Sequence, residues 1–390
     1  MSQNSARTAM VLSGGGAYGA FGVGVQKALF AGRSPATNYV PLNADIFSGT
    51  SVGAFNASLM VARPCSCLDA VLHLESIWLG RVAQGTGECG NGIFRIRGNP
   101  ADWIDTDCLR HPVTLARRFL DDSIVLGAYT LARTANFIAT SGSPLPDRVI
   151  ALVNIGSFID VAPYKALLHS VIDERAVRES TRTLRITATN WAQGTPRYFT
   201  NSDFHDDLGI DSVVASTAIP GVFPPIKIGK ELYVDGGVVE NTPLSSAITA
   251  GATDLHVIYL NPNPSVIPLQ DQANTMDTML RVYYIMLATK LSEDIETARW
   301  INAGLDAISS YQPGQSPSDI AIRDFMKVAG TLVQTQRAYK RLTIHRYFPE
   351  TALGGNLGML DFSIGAIANM IQEGEDAAVV HDCKKNNCVL

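Results

Sequence analysis

Hydrophobic positions along this chain switch repeatedly between two periods. Thr8-Ala9-Met10-Val11-Leu12 is an unbroken apolar run too short for a helix, which predicts a strand buried on both faces. Residues 20–31 then carry Phe21, Val25 and Leu29 at helical spacing. The alternation repeats: a short run over 44–47 precedes a helix over 51–62, which Pro64 ends, and a further helix is predicted over 68–79. Residues 184–189 and 197–200 have strand character and predict a strand pair, 212–218 a helix, and 231–234 and 255–260 two more strands. Asn261-Pro262-Asn263-Pro264 then breaks the chain, helical periodicity returns over 275–307 and 319–339, and 343–348 is expected to rejoin the sheet. The pattern predicts an α/β fold of three layers, with a largely parallel central sheet flanked by helices.

Two stretches interrupt it. Residues 80–98 are rich in glycine and predict a surface loop where an insertion begins. Residues 113–138 hold Leu115, Phe119, Leu120, Ile124, Val125, Leu126, Tyr129 and Leu131, too many apolar side chains for a fully solvated arm. They predict a helical pair packed on the core, the alternative being a cap over an apolar pocket.

Candidate chemistry sits where apolar runs meet glycine. Gly49-Thr50-Ser51-Val52-Gly53 places a serine between two glycines at a predicted strand-to-helix turn, the pattern of a nucleophile elbow. Ser13-Gly14-Gly15-Gly16-Ala17-Tyr18-Gly19 ends the first strand and opens the first helix, so its backbone N–H groups and the helix dipole favour negative charge. That charge is either the oxyanion of an ester under attack by Ser51 or a phosphate, since Gly14, Gly16 and Gly19 also fit the dinucleotide fingerprint. The acidic ribose-binding residue of that fingerprint is not evident downstream. Tyr233-Val234-Asp235-Gly236-Gly237 delivers a carboxylate from a strand end into a glycine turn, where the plain reading is a hairpin. None of the seven histidines has a comparable setting, and His256 is read as structural.

Together, these three motifs resemble the patatin-like phospholipases. The likeness extends through Ala215-Ser216-Thr217-Ala218-Ile219-Pro220-Gly221-Val222-Phe223-Pro224-Pro225 and Asn241-Thr242-Pro243-Leu244, and more weakly to Thr343-Ile344-His345-Arg346-Tyr347-Phe348-Pro349. It covers nearly all of the chain and is poorest over 80–149. The resemblance implies one domain over 8–382, with an insertion or cap over 80–150 and a mainly helical part over 265–382. It also implies a Ser51–Asp235 dyad, an oxyanion hole at Gly14, Gly15 and Gly16, and supporting glycines at Gly19, Gly49, Gly53, Gly236 and Gly237. The implied activity is a phospholipase A or lysophospholipase acting on phospholipid or lysophospholipid through an acyl-enzyme, with no metal and no cofactor. An acyltransferase using the same dyad, and a nucleotide- or lipid-binding module, are the alternatives. Many members carry a basic residue where this chain has Tyr18, which is read here as a loop anchor.

Composition narrows the picture in three respects. A formal net charge of −5 is unsuited to a general nucleic-acid binder, so no nucleic-acid partner is expected. The start of the chain lacks the apolar core of a signal peptide and no run reaches the ~18 residues of a membrane span, which predicts a cytoplasmic protein with at most peripheral membrane contact. Six cysteines, at 65, 67, 89, 108, 383 and 388, are expected as reduced thiols. A zinc site at Cys65-Ser66-Cys67 would have to recruit the distant Cys89 and Cys108, and Cys388 is one residue too close to the end for a prenylation box.

Overall fold

The computed structural model describes residues 7–83, 93–98, 106–139, 159–260, 275–310, 340–351, 353–354 and 358–390, with isolated positions at 322, 324, 325 and 328. Residues 84–92 of the predicted glycine-rich loop, the Asn-Pro breaker and most of 319–339 lie outside these residues. The strands are β1 (Thr8–Leu12), β2 (Ile46–Thr50), β3 (Arg95–Ile96), β4 (Ile159–Asp160), β5 (Thr183–Asn190), β6 (Thr195–Thr200), β7 (Ile226–Ile228), β8 (Glu231–Asp235), β9 (Asp254–Ile258) and β10 (Thr343–Tyr347). The first helices are α1 (Gly19–Phe30), α2 (Val52–Val61) and α3 (Cys67–Ile77).

Five strands in the order β10-β9-β1-β2-β5 run parallel, and β8, β7 and β6 extend this sheet antiparallel. The first strand shows why its apolar run is unbroken. Met10 and Leu12 join the core under α1, α2, α3 and the helix Ile364–Val379, while Ala9 and Val11 face the opposite core with Leu244, Ala247, Ile295 and Ala298. A strand covered on both faces has no solvent side on which to carry polar residues. The fold is therefore a mixed α/β sandwich with helices on both faces of a mostly parallel sheet, as the alternation predicts.

Register around β5 sets the position of the site. Over Arg185 to Asn190, β6 occupies one edge of β5. The other edge is shared: β2 runs along it up to Thr50 opposite Thr187, and β8 comes from the other direction to end with Asp235 opposite Ala188. The strands preceding Ser51 and ending at Asp235 thus meet end to end beside a single neighbour.

The apolar segment over 113–138 departs from its prediction. It lies within one continuous helix, Pro112–Ala139, rather than a packed pair, and its buried residues are Leu115 and Asp122. Val113, Ile124 and Leu131 are 82%, 70% and 74% exposed. Its anchorage is ionic: Arg95 grips Asp122 with two hydrogen bonds of 2.8 and 2.7 Å and reaches Asp160 at 2.8 Å, with Arg97 3.1 Å from Asp160. Among the described residues no helix is long and apolar enough to cross a membrane.

Candidate active site

Ser51 caps α2 with φ 56° and ψ −125°, a conformation a side-chain-bearing residue adopts at a cost of ~1–3 kcal/mol. Local sequence makes that turn feasible. A Cβ at Gly49 would lie 2.2 Å from the Gly53 carbonyl oxygen, and one at Gly53 would lie 2.1 Å from that of Leu12, so each position admits only glycine. Every residue of α2 is buried, which holds the elbow against β1 and β2.

Asp235 is fully buried at the end of β8. Its Oδ1 accepts the Gly237 N–H at 2.7 Å, its own N–H donates to the Ala218 carbonyl at 2.8 Å, and its carbonyl accepts from Thr189 Oγ1 at 2.9 Å. Gly236 permits the close approach of β8 to the elbow, because a Cβ there would sit 2.2 Å from the Thr187 oxygen and 2.9 Å from the Thr50 methyl.

Ser216 joins the two halves. Its Oγ accepts the Ser51 N–H at 2.9 Å and donates to the Thr187 carbonyl at 2.6 Å, while its own carbonyl accepts the Gly236 N–H at 3.3 Å. The sequence places Ser216 in a predicted helix and signals none of this. Asn241 is a second such residue: its backbone oxygen and Oδ1 both accept the Gly14 N–H, at 3.2 and 3.1 Å.

The glycine loop abuts the serine, since a Cβ at Gly14 would lie 2.9 Å from Ser51 Cβ. Gly14, expected to share in the oxyanion hole, commits its N–H to Asn241. The N–H groups of Gly15 and Gly16, together with that of Val52 at the start of α2, donate to nothing among the described residues. Gly16 has φ 57° and Gly19 opens α1 against Val52, whose methyl a Cβ there would approach to 2.4 Å. Gly237 supplies the amide on Asp235. Tyr18 is buried, in line with a loop anchor.

Ser51 and Gly16 line a cavity whose wall is otherwise nearly all apolar, with Phe55, Trp78, Tyr164, Phe223 and Phe362 among its residues. No histidine lines it among the described residues. The Tyr164 hydroxyl is raised above the ordinary phenol range, by burial first and by the Asp235 charge in addition, so it stays protonated. Such a site offers an alcohol nucleophile, a buried carboxylate beside its strand, amide donors and an apolar slot.

No curated protein matches this chain. Among solved structures, that of VipD from Legionella pneumophila aligns with 13% identity and a TM-score of 0.36 over 96% of this chain, which spans 66% of the VipD chain. The family model for patatin-like phospholipases matches residues 10–248, well over half of the 390, and takes in the glycine loop, the elbow and Asp235. On that match, this chain belongs to the patatin-like phospholipase family.

Proposed function

We propose that the chain is a lipid acyl hydrolase of phospholipase A or lysophospholipase type, working through Ser51 and Asp235. The observation that carries this reading is the convergence of β2 and β8 on one edge of β5 beside an apolar cavity that Ser51 lines. Asp235 takes the Ser51 hydroxyl proton as Oγ adds to the ester carbonyl carbon. The resulting oxyanion is met by backbone N–H groups of Gly15 and Gly16, Gly14 being the residue that fixes their loop to Asn241. Collapse expels the alcohol, which leaves with the proton held by Asp235, and the acyl group stays on Ser51. Water then attacks with Asp235 as base, the Ser51 oxygen recovers a proton, and the fatty acid departs.

An acyl chain suits the cavity because its aromatic and aliphatic wall has little else to recognise. Peripheral contact with a lipid surface belongs to the same reading. Val113, Leu120, Ile124, Leu131 and Ile138 recur at helical steps along one exposed side of Pro112–Ala139.

A fluorophosphonate probe should label Ser51 in the wild type and leave Ser51→Ala unlabelled. Mass spectrometry of mixed membranes incubated with the protein should show lysolipid and free fatty acid appearing together. Turnover retained by Ser51→Ala, or labelling at another serine, would overturn the assignment, and transfer of the acyl group to an added alcohol instead of water would make it an acyltransferase.

A further inference from the structure

Three histidines and two cysteines that have no part in the proposed chemistry gather at the outer edge of the sheet. β10 is the edge strand, and it is covered by the segment 381–389, which pairs Val389 with Ile344 through hydrogen bonds of 2.7 and 3.0 Å. A tight loop in that segment, closed by the Cys388 N–H on the Cys383 carbonyl at 3.0 Å, returns the second cysteine to the first. From β10, His345 brings Nδ1 to 3.3 Å from Cys383 Sγ. His381 brings Nε2 to 3.3 Å from Cys383 Sγ and 3.6 Å from Cys388 Sγ. One ligand atom from each of the four residues lies within 4.8 Å of all the others.

We propose that His345, His381, Cys383 and Cys388 form a structural Zn²⁺ site that fastens the segment 381–389 to the edge of the sheet. The spacing is the first reason. With Zn–S of ~2.3 Å and Zn–N of ~2.0–2.1 Å, a tetrahedron has S···N edges of about 3.6 Å and an S···S edge of about 3.8 Å. The observed S···N separations of 3.3, 3.3 and 3.6 Å need only a few tenths of an ångström of adjustment. Donor chemistry is the second reason, since two thiolates and two imidazoles suit zinc among the common divalent ions. Binding releases the two thiol protons, and Zn²⁺ with two thiolates and two neutral rings carries no net charge, which this half-buried position tolerates.

Surrounding groups can orient both rings. Asn386 places its amide nitrogen Nδ2 2.8 Å from His381 Nδ1, and exchanging the amide's oxygen and nitrogen lets the oxygen accept Nδ1–H, which leaves the Nε2 lone pair toward the sulfurs. His256 stacks on His345 at 4.8 Å and bonds Tyr347 at 2.9 Å, fixing the plane of the ligand ring. Four protein ligands leave no open coordination position, so the site holds structure and does not activate water.

The test is made on the full chain, purified under reducing conditions from zinc-supplemented cells. Elemental analysis should find one zinc per chain, lost in Cys383→Ser and in Cys388→Ser and kept in the Cys65→Ser/Cys67→Ser double variant. Exchange of the metal for Co²⁺ should produce a thiolate charge-transfer band and the intense visible bands of a tetrahedral ion. Chelation of the wild type should lower Tm while fluorophosphonate labelling of Ser51 at low temperature persists. If the cysteine variants fail to fold, metal content and the cobalt spectrum of the wild type still decide. Zinc below about 0.1 per chain with no cobalt charge-transfer band would overturn the proposal, as would recovery of Cys383 and Cys388 as a disulfide in metal-free protein.

Discussion

Replacing Ser216 by alanine tests the link between the elbow and the aspartate strand. Ser216, Thr187 and Ser51 are all buried, so water cannot replace the lost hydroxyl. The Ser51 N–H loses its acceptor at 2.9 Å and the Thr187 carbonyl its donor at 2.6 Å. Orphaning a buried donor costs ~1–3 kcal/mol, and the second lost bond brings the expected total to about 2–4 kcal/mol. Unfolding entropy for 390 residues is about 0.8 kcal/mol/K, which turns that loss into a fall in Tm of about 2–5 °C. Turnover should suffer more than the fold, because an elbow released by a fraction of an ångström misaligns Oγ, and displacement by 1 Å can cost ~100-fold. Ser212→Ala is the matched control on the same helix, equally buried, where the hydroxyl only bonds back to the Gly209 carbonyl at 2.7 Å and no backbone N–H is orphaned, so it should lose only ~0.5–1.5 kcal/mol and keep its kcat. Guanidinium unfolding followed by circular dichroism, with kcat measured on p-nitrophenyl acyl esters, reads both effects. A Ser216→Ala protein as stable and as active as Ser212→Ala would refute the reasoning.

Four other outcomes are expected. Asp235→Asn should keep the Gly237 N–H contact and the fold yet lower kcat by ~10³-fold or more, with no further loss when combined with Ser51→Ala, because nucleophile and base act as one unit. Gly236→Ala should lower kcat and stability together, since its Cβ has to displace β8 from the Thr187 oxygen 2.2 Å away, and thermal unfolding beside kinetics shows both. Glu375 bonds Lys27 at 2.7 Å and also Arg33; burial raises its carboxyl pKa, but these two cations together hold it below the ordinary 4.5. Its contribution is therefore complete above pH 4.5 and lost as pH falls through the depressed value, so the Tm gap between wild type and Glu375→Gln should be full at neutral pH and close in acid. Ester turnover should be equal with added calcium and with a calcium-selective chelator, the sequence having no calcium loop.

What the sequence discloses is what neighbouring residues encode. The strand into Gly14, the strand into Ser51 and the strand into Asp235 are each legible because an apolar run and its glycine turn lie within a few residues of each other. The bonds that assemble them are not. Ser216 meets Ser51 across 165 positions and Asn241 meets Gly14 across 227, and a serine or an asparagine carries no local mark of a distant partner. The cysteines mislead for the same reason: the close pair Cys65 and Cys67 stays free, Cys108 is disulfide-bonded where reduced thiols are expected, and Cys383 finds His345 from 38 positions away. Apolar content over 113–138 indicates a surface to be covered, but not by what, and the long exposed helix answers with ion pairs where core packing is predicted.

Because β2 and β8 abut along one edge of β5, the gap between Ser51 and Asp235 behaves as a gauge length marked on a single rail. Bending or twisting the sheet carries both marks together and leaves the gauge nearly unchanged, whereas sliding either strand along β5 alters it directly. Since a slip by one residue also turns every side chain of the slipped strand to the opposite face, small slides are not available as intermediate settings. Heating should therefore not detune the proposed site gradually. Its activity per folded molecule should hold until the sheet itself gives way.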